Sequence, residues 1–190
     1  MINDLFNEFI ALSDGLRRDY STSLSKRNDD WKEKLYKINP DIPELFKTIY
    51  STVSGTKRNI QQQELMDFVP GYRLIHIDEL ETNMNTLDMF LNSFDTLEYE
   101  LILPLLGNYS SDYICYLRTK TKDEYIGLIM HDSNDIEVMH KSIIDFLTTI
   151  CAFYKNSVYF LDENGYLDYD IEKECSIGSS INKNIEYWMT

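Results

Sequence analysis

The chain has 190 residues, 43% of them hydrophobic, and a formal net charge of −14 at pH 7. This length and apolar content suit one domain with a single core and leave little room for two independent domains. The longest uncharged stretches, such as residues 101–111, are too short to cross a bilayer and are broken by Pro104 and Gly107. The first residues carry an acid rather than the basic head of a signal peptide. We therefore expect a soluble, cytoplasmic protein with no membrane partner.

The charge is distributed unevenly along the chain. Residues 1–60 contain 10 Lys and Arg against 9 Asp and Glu, whereas residues 61–190 contain 8 against 23. An acidic body repels nucleic acids and anionic lipids, and its field accelerates encounters with basic proteins. The simpler alternative is that the charge only maintains solubility. We expect no nucleic-acid partner.

The N-terminal segment is predicted to form an amphipathic helix. Over residues 2–24 the apolar side chains recur every three or four positions, which gives one apolar stripe. Residues 1–28 are therefore interpreted as a helical extension, and residues 29–190 as the main domain. The stripe packs on its own domain or pairs with a second protomer, so the expected state is a monomer or a homodimer. A second amphipathic helix is predicted within residues 31–40.

The next elements are predicted from their boundary residues. Asp41 is a candidate N-cap of a helix with Pro43 in its first turn, and Gly55 is a typical C-cap. Pro70 and Gly71 then indicate a turn. The alternating residues 72–77 after this turn predict a short strand.

The centre of the chain combines helical and strand patterns. Asp78 is predicted to cap a helix that extends to Phe94. Residues 112–118 and 124–131 are β-branched and aromatic, which predicts neighbouring antiparallel strands. Residues 138–154 show a helical period, and this helix is expected to lie on the sheet.

The last third of the chain contains a strong hairpin signal. Asn164 and Gly165 stand between two aromatic-rich runs, which predicts a β-hairpin with a two-residue turn. Residues 167–171 alternate as the returning strand. Residues 172–188 are predicted to form a final helix with a break near Gly178.

Common catalytic motifs are absent from the sequence, which has no G-x-S-x-G, no H-E-x-x-H and no glycine-rich phosphate loop. Cys115, Cys151 and Cys175 are widely spaced and form no CxxC motif, which is typical of reduced thiols, although each is a candidate reactive thiol. Candidates for a general base and its nucleophile are His131, Asp132, Ser133, His140 and Cys115. Nothing in their spacing fixes a catalytic geometry. We expect a protein that is not an enzyme, with no catalytic residues, no metal and no cofactor.

Acidic and aromatic residues alternate over residues 159–172. Tyrosines supply contact area at low entropic cost while carboxylates steer a cationic partner. A solvated acidic face is the alternative. Calcium is not predicted, because an EF-hand register with Gly165 at position 6 places Phe160 at position 1, where an oxygen ligand is required. The predicted partner-binding residues are Tyr159, Asp162, Glu163, Tyr166, Asp168, Tyr169, Asp170 and Glu172.

Several short segments over residues 30–190 occur in a distinctive order. They run from a proline-led apolar helix through three strands to a Ser-containing helix and a Tyr-Trp ending, and they comprise residues 42–55, 72–80, 101–106, 111–116, 125–128, 141–147 and 182–188. This order resembles the SUKH superfamily, bacterial immunity proteins whose fungal relatives include a regulator of cell-wall synthesis. The chain departs from that pattern where Gly55 lacks a second glycine and where Ser111 stands in place of a glycine.

The resemblance implies an α+β domain, a twisted and mainly antiparallel sheet with helices packed around it. The predicted N-terminal helical extension is an addition that has no counterpart in that pattern. It also implies an antidote that binds a cognate polymorphic toxin, often a nuclease, and blocks it stoichiometrically without chemistry. The acidic body agrees with this function, because toxins that cleave nucleic acids are basic. The alternative is an intracellular regulatory or scaffold module that binds a host protein through the N-terminal helix.

Overall fold

The computed structural model describes residues 1–92, 94 and 98–189. Within them, six α-helices and nine β-strands form an α+β fold, which confirms the predicted fold class. The helices are α1 (Ile2–Leu16), α2 (Trp31–Ile38), α3 (Glu44–Thr52), α4 (Leu80–Leu91), α5 (Ile143–Lys155) and α6 (Ile171–Ile181). The strands are β1 (Leu24–Lys26), β2 (Val53–Thr56), β3 (Arg73–Leu74), β4 (Tyr99–Gly107), β5 (Tyr113–Thr119), β6 (Glu124–Ile129), β7 (Ile136–His140), β8 (Tyr159–Leu161) and β9 (Leu167–Tyr169). No helix in the described ranges is both long and apolar enough to span a membrane.

The central sheet has five antiparallel strands in the order β3-β4-β5-β6-β7. β5 and β6 pair in continuous register from Tyr113 opposite Ile129 to Arg118 opposite Glu124, which confirms the predicted antiparallel neighbours. Two further ladders, β1 with β2 and β8 with β9, lie outside this sheet. The sheet therefore has two edges, and β7 forms the longer one.

The helix α1 packs on α5 as part of the same core as the sheet. Phe6 and Phe9 are fully buried, and the Phe9 ring lies 4.1 Å from the Phe68 ring between centroids. The strand β1 then pairs with β2, which belongs to the main domain. One hydrophobic cluster contains residues from both sides of position 28, and the boundary there stays a prediction.

The helix α1 ends at Leu16 and not near residue 24 as the periodicity predicts. Arg17 is extended, and its guanidinium is buried, where it donates to the Asp67 carbonyl oxygen at 2.6 Å and to the Tyr154 hydroxyl at 2.8 Å. The Tyr20 ring centroid lies 4.1 Å from the same guanidinium. The helix does not continue to residue 24, because Asp19 adopts a left-handed conformation with φ +69° and Tyr20–Ser23 forms a separate 3₁₀ turn.

Two predicted helix caps have other roles. The prediction for Asp41 is wrong, because Pro43 occupies the N-cap position of α3 and the Asp41 carboxylate lies 2.8 Å from Arg118. The prediction for Asp78 is also wrong, since its backbone N–H donates to the side chain of His76 in a short 3₁₀ turn before α4. Both aspartates point toward cations, which competes with capping. The predicted end of this helix near Phe94 includes Ser93, which lies outside the described residues.

Gly55 lies within β2 and is not the C-cap of α3. Its φ is +105°, and a Cβ atom there would lie 2.5 Å from the Ile75 carbonyl oxygen. Glycine is therefore required by a close backbone approach together with a positive φ. The segment that passes Gly55 contains β3, which is limited to Arg73 and Leu74 of the predicted strand 72–77.

The region before α5 differs from the predicted helix 138–154. Residues Ile136–His140 form β7, which pairs with β6, and α5 begins only at Ile143. The Ser142 hydroxyl accepts a hydrogen bond from the Asp145 N–H at 3.0 Å and caps the helix. The backbone groups of β7 gain partners in the sheet, and this tertiary pairing outweighs the helical spacing of Val138.

Candidate protein-binding site

The strands β8 and β9 form an antiparallel hairpin that leads directly into α6. Its turn is longer than the two residues predicted. The Gly165 N–H donates to the Asp162 carbonyl oxygen at 3.1 Å, and the Asp162 N–H donates to the Tyr166 carbonyl oxygen at 2.9 Å. Gly165 has a φ of +85°, which glycine adopts without steric cost. The Asn-Gly signal thus predicts the hairpin correctly but not the length of its turn.

Tyr159 is a predicted contact residue that the structure places in the core. Its side chain is 5% exposed, and its ring centroid lies 5.3 Å from Phe153 and 5.0 Å from Tyr154. The register sets Tyr159 opposite Tyr169 on one face of the hairpin. Burial raises the pKa of its hydroxyl well above the ordinary value. Tyr159 therefore packs the hairpin against α5 and is not available to a partner.

Asp162 and Asp170 are held by local hydrogen bonds. Asp162 Oδ1 accepts from the N–H groups of Asn164 at 2.9 Å and Tyr166 at 2.8 Å. Asp170 caps α6, since its Oδ1 accepts from the Lys173 N–H at 3.2 Å and its Oδ2 lies 3.2 Å from the Lys173 ammonium. These hydrogen bonds lower the pKa of Asp170. Both aspartates contribute charge to the surface, but their first role is structural.

The remaining predicted contact residues are exposed. We call them the hairpin face, and they are Glu163, Tyr166, Asp168, Tyr169 and Glu172. Large apolar side chains on the hairpin, at the start of α6 and after its end are exposed as well, namely Phe160, Leu161, Ile171 and Met189. These four side chains are further candidate contact residues.

A groove of about 850 Å³ lies between β7, α6 and the C-terminal residues 184–188. We call it the β7 groove. Among the described residues, its lining contains four carboxylates, three aromatic rings and no Lys, Arg or His. The lining residues are Asp135, Ile136, Glu137, Val138, Tyr169, Ile171, Glu174, Cys175, Asn184, Ile185, Glu186, Tyr187 and Trp188. Tyr169 and the start of α6 border the groove, whereas Asp168, which is opposite Phe160 in the ladder, lies on the other side of the hairpin from Tyr169.

The C-terminal wall of the groove is fixed by Trp188. Its indole N–H donates to the Met139 carbonyl oxygen at 2.6 Å, and its ring lies 5.5 Å from that of His140 between centroids. A Cβ atom at Gly178 would lie 2.3 Å from the Trp188 ring, so α6 passes directly against the indole. Gly178 thus permits close packing and is not the predicted break, since α6 continues to Ile181.

Glu174 has the most perturbed carboxylate of the groove. Partial burial among Tyr159, Tyr169 and Tyr187 raises its pKa to about 7. Burial first, and the charge of Glu174 second, also raise the pKa of Tyr187. The site therefore disfavours additional negative charge, and a cation placed there would stabilise the ionised form of Glu174.

The candidate catalytic residues lie in different surroundings. His131 Nδ1 lies 2.8 Å from an Asp112 oxygen at the surface, and this hydrogen bond raises its pKa. His140 is buried and its Nδ1 lies 2.9 Å from the amide oxygen of Asn182, while Cys115 is fully buried with a raised thiol pKa. No cluster of three or more His, Cys, Asp or Glu suited to a metal ion occurs within the described part of the chain.

The β7 groove is the part of the site that the sequence does not predict. Glu137 and Glu174 are far apart in the sequence. In addition, the predicted helix 138–154 overlaps the edge strand β7, so this strand is not predicted. The pair Ser142 and Asp145 carries the missed signal, since an N-cap there ends the preceding segment. Comparison with models of known families and with curated proteins found no match to this chain. The site is therefore defined by its geometry, and the SUKH resemblance stays a prediction.

Proposed function

We propose that this protein is an immunity-type binding protein that neutralises a basic protein toxin, expected to be a nuclease, in the cytoplasm. It acts by stoichiometric contact and needs no chemistry of its own. One observation carries the proposal: exposed carboxylates and aromatic rings of the hairpin adjoin a groove that is lined, among the described residues, by four carboxylates and by no Lys, Arg or His. The resemblance in segment order to SUKH proteins supplies the class of partner.

The two kinds of side chain on this surface serve different steps of binding. The chain carries a net charge of −14, and such a field increases the rate at which a basic protein finds the surface. The exposed rings of Phe160, Tyr166 and Tyr169 supply apolar area that a partner buries after the encounter. A toxin that binds nucleic acid needs a basic surface, so it is attracted to the acidic protein by the same charges.

A matched pair of charge reversals tests the proposal. Asp168→Lys lies on the hairpin face, and Asp88→Lys changes the net charge equally at an exposed position of α4. Each variant is titrated against the toxin domain encoded by the neighbouring reading frame, and protection of growth is scored on co-expression. We expect Asp168→Lys to weaken binding by about tenfold or more, because a like charge then faces the basic partner. Asp88→Lys is expected to stay within about twofold of the wild-type chain.

Three results would contradict the proposal. The first is that the wild-type chain does not protect cells against the toxin domain. The second is that the two charge reversals weaken binding equally, and the third is that protection requires turnover of a substrate. Asp168 was chosen in place of Asp170, because reversal of Asp170 removes the N-cap of α6 and costs about 1 kcal/mol of stability.

A further inference from the structure

We propose that the β7 groove accepts an extended, lysine-bearing segment of the partner, which adds a strand to the free edge of β7 and places an ammonium group beside Glu174. The inference rests on the proposed function, since it names the part of the basic partner that enters the surface and the manner in which it binds.

The outer edge of β7 is open over most of its length. In the part of the chain that the structure describes, β7 pairs with β6 only, and β6 occupies one side of the strand. On the other side, the Met139 carbonyl oxygen accepts from the Trp188 indole. For Ile136, Glu137 and Val138 the structure, over its described residues, gives no further backbone partner. An edge strand with unpaired N–H and C=O groups is a template for another strand.

The groove follows this edge and not one face of the sheet. Side chains of a strand alternate between its two faces, yet three consecutive residues of β7, 136–138, line the groove, together with Asp135 just before the strand. Such a lining arises when the space runs beside the backbone. The opposite walls are α6 and the C-terminal residues 184–188. An extended segment placed between them forms hydrogen bonds with β7 and sets alternate side chains against the two walls.

The chemistry of the walls selects aliphatic and cationic side chains. Ile136, Val138 and Ile171 supply apolar surface, and Ile171 is 63% exposed until something covers it. The Glu174 carboxylate has no hydrogen-bonding or ion-pairing partner among the described residues, although Tyr159, Tyr169 and Tyr187 lie near it. Asp135, Glu137 and Glu186 add negative charge around the same space, and the nearby Lys173 is already paired with Asp170. An ammonium group would pair with Glu174 in this partly desolvated position.

A second copy of this chain is a poor occupant of the groove. Pairing of one β7 edge with the same edge of another molecule would set Glu137 and its neighbouring carboxylates against identical groups. Like charges placed opposite each other across a strand pair are destabilising. A cationic partner removes this repulsion, so the charge of the groove favours a different protein over self-association.

Synthetic peptides as long as β7, five residues, test the inference directly. The probe is Val-Lys-Val-Lys-Val, and its controls are the same peptide N-methylated at alternate amides and the peptide Val-Glu-Val-Glu-Val. Binding is measured by calorimetry, and amide hydrogen exchange of residues 136–138 reports on strand addition. We expect the lysine peptide to bind and to slow exchange at these residues, and both controls to bind about tenfold more weakly or not at all.

Variants of the full chain locate the ammonium group. Glu174→Gln keeps the shape of the side chain and is expected to lower the affinity for the lysine peptide by about tenfold. The control Asp88→Asn on α4 is expected to leave that affinity within about twofold of the wild-type value. Equal binding of the N-methylated peptide, unchanged exchange at residues 136–138, or an unaffected Glu174→Gln variant would overturn the inference. A dimer of the chain that excludes the lysine peptide would overturn it as well. The proposed function survives each of these results if Asp168→Lys still weakens binding of the toxin domain.

Discussion

Gly178 shows how one missing side chain positions a wall of the binding site. Gly178 lies inside α6, and a Cβ atom at this position would lie 2.3 Å from the Trp188 ring. We expect Gly178→Ala to lower the free energy of unfolding by about 2 kcal/mol, because overpacking outweighs the gain in helix propensity. Urea denaturation measures this change, and Trp188 emission in a Trp31→Phe background reports displacement of the indole.

Gly15 provides a matched control for this substitution. It also stands within a helix, α1, and a Cβ atom there would meet no other atom within 4 Å. Gly15→Ala is therefore expected to raise the free energy of unfolding by about 0.5–1 kcal/mol. If both glycine variants changed stability in the same direction, Trp188 would not be packed against α6 as described.

His140 makes stability depend on pH. Burial lowers the pKa of its imidazole to about 4, and the hydrogen bond with Asn182 offsets part of this shift. The unfolded chain takes up this proton near pH 6.5, and the folded chain takes it up only near pH 4. The contribution of His140 to the free energy of unfolding is therefore fully present above pH 6.5 and is lost as the pH falls to about 4. We expect this loss to amount to about 3 kcal/mol by linkage.

The measurement is urea unfolding of wild-type chain and of a His140→Gln variant between about pH 4 and 7. Glu174 contributes an opposite slope, because its raised pKa lets the folded chain hold a proton more tightly. This slope is common to both proteins, so their difference isolates His140. A wild-type profile parallel to that of the variant would show that the imidazole is not buried in its neutral form.

At the scale of elements, α1 is part of the core and not a free arm. The apolar stripe is visible in the sequence, but the buried contacts of Arg17, directly after the helix, are made with Asp67 and Tyr154, which lie far along the chain. Local periodicity carries no information about such partners. The alternative function, in which the N-terminal helix binds a host protein, requires a stripe that is free, whereas Phe6 and Phe9 are fully buried.

Phe9→Ala measures how strongly α1 is held. The side chain is fully buried and packs against Phe68, so its removal is expected to cost about 3–5 kcal/mol. Phe160→Ala is the matched control, because that ring is 40% exposed and its loss is expected to cost about 1 kcal/mol or less. Equal losses in denaturation experiments would mean that α1 does not belong to the core.

The strand β7 illustrates why a local pattern predicts one element and misses its neighbour. Val138 continues the helical spacing of α5, so a window over residues 138–154 favours a single helix. The competing interaction is the pairing of β7 with β6, which no local window contains. The N-cap residue Ser142 separates the two elements. Ser142 can be recognised as an N-cap only when the residues before it are already considered as a strand.

At the scale of the whole molecule, the sequence predicts the fold class and the acidic hairpin but not the groove. The α+β arrangement follows from strand and helix patterns that are each local, and the hairpin follows from Asn164 and Gly165. The β7 groove is built from three segments, around residues 135–138, 169–175 and 184–188, that meet only in the folded chain. Its central carboxylate, Glu174, is indistinguishable in the sequence from any other acid of a surface helix.

The association rate of the toxin domain with this chain, measured at ionic strengths from about 0.05 to 0.5 M, tests electrostatic capture most directly. The acidic surface predicts that the rate constant falls by about tenfold or more over this range, and that Asp168→Lys lowers the rate at low salt and flattens the dependence. A rate constant that is independent of salt and the same for wild-type and Asp168→Lys chains would contradict capture through this surface.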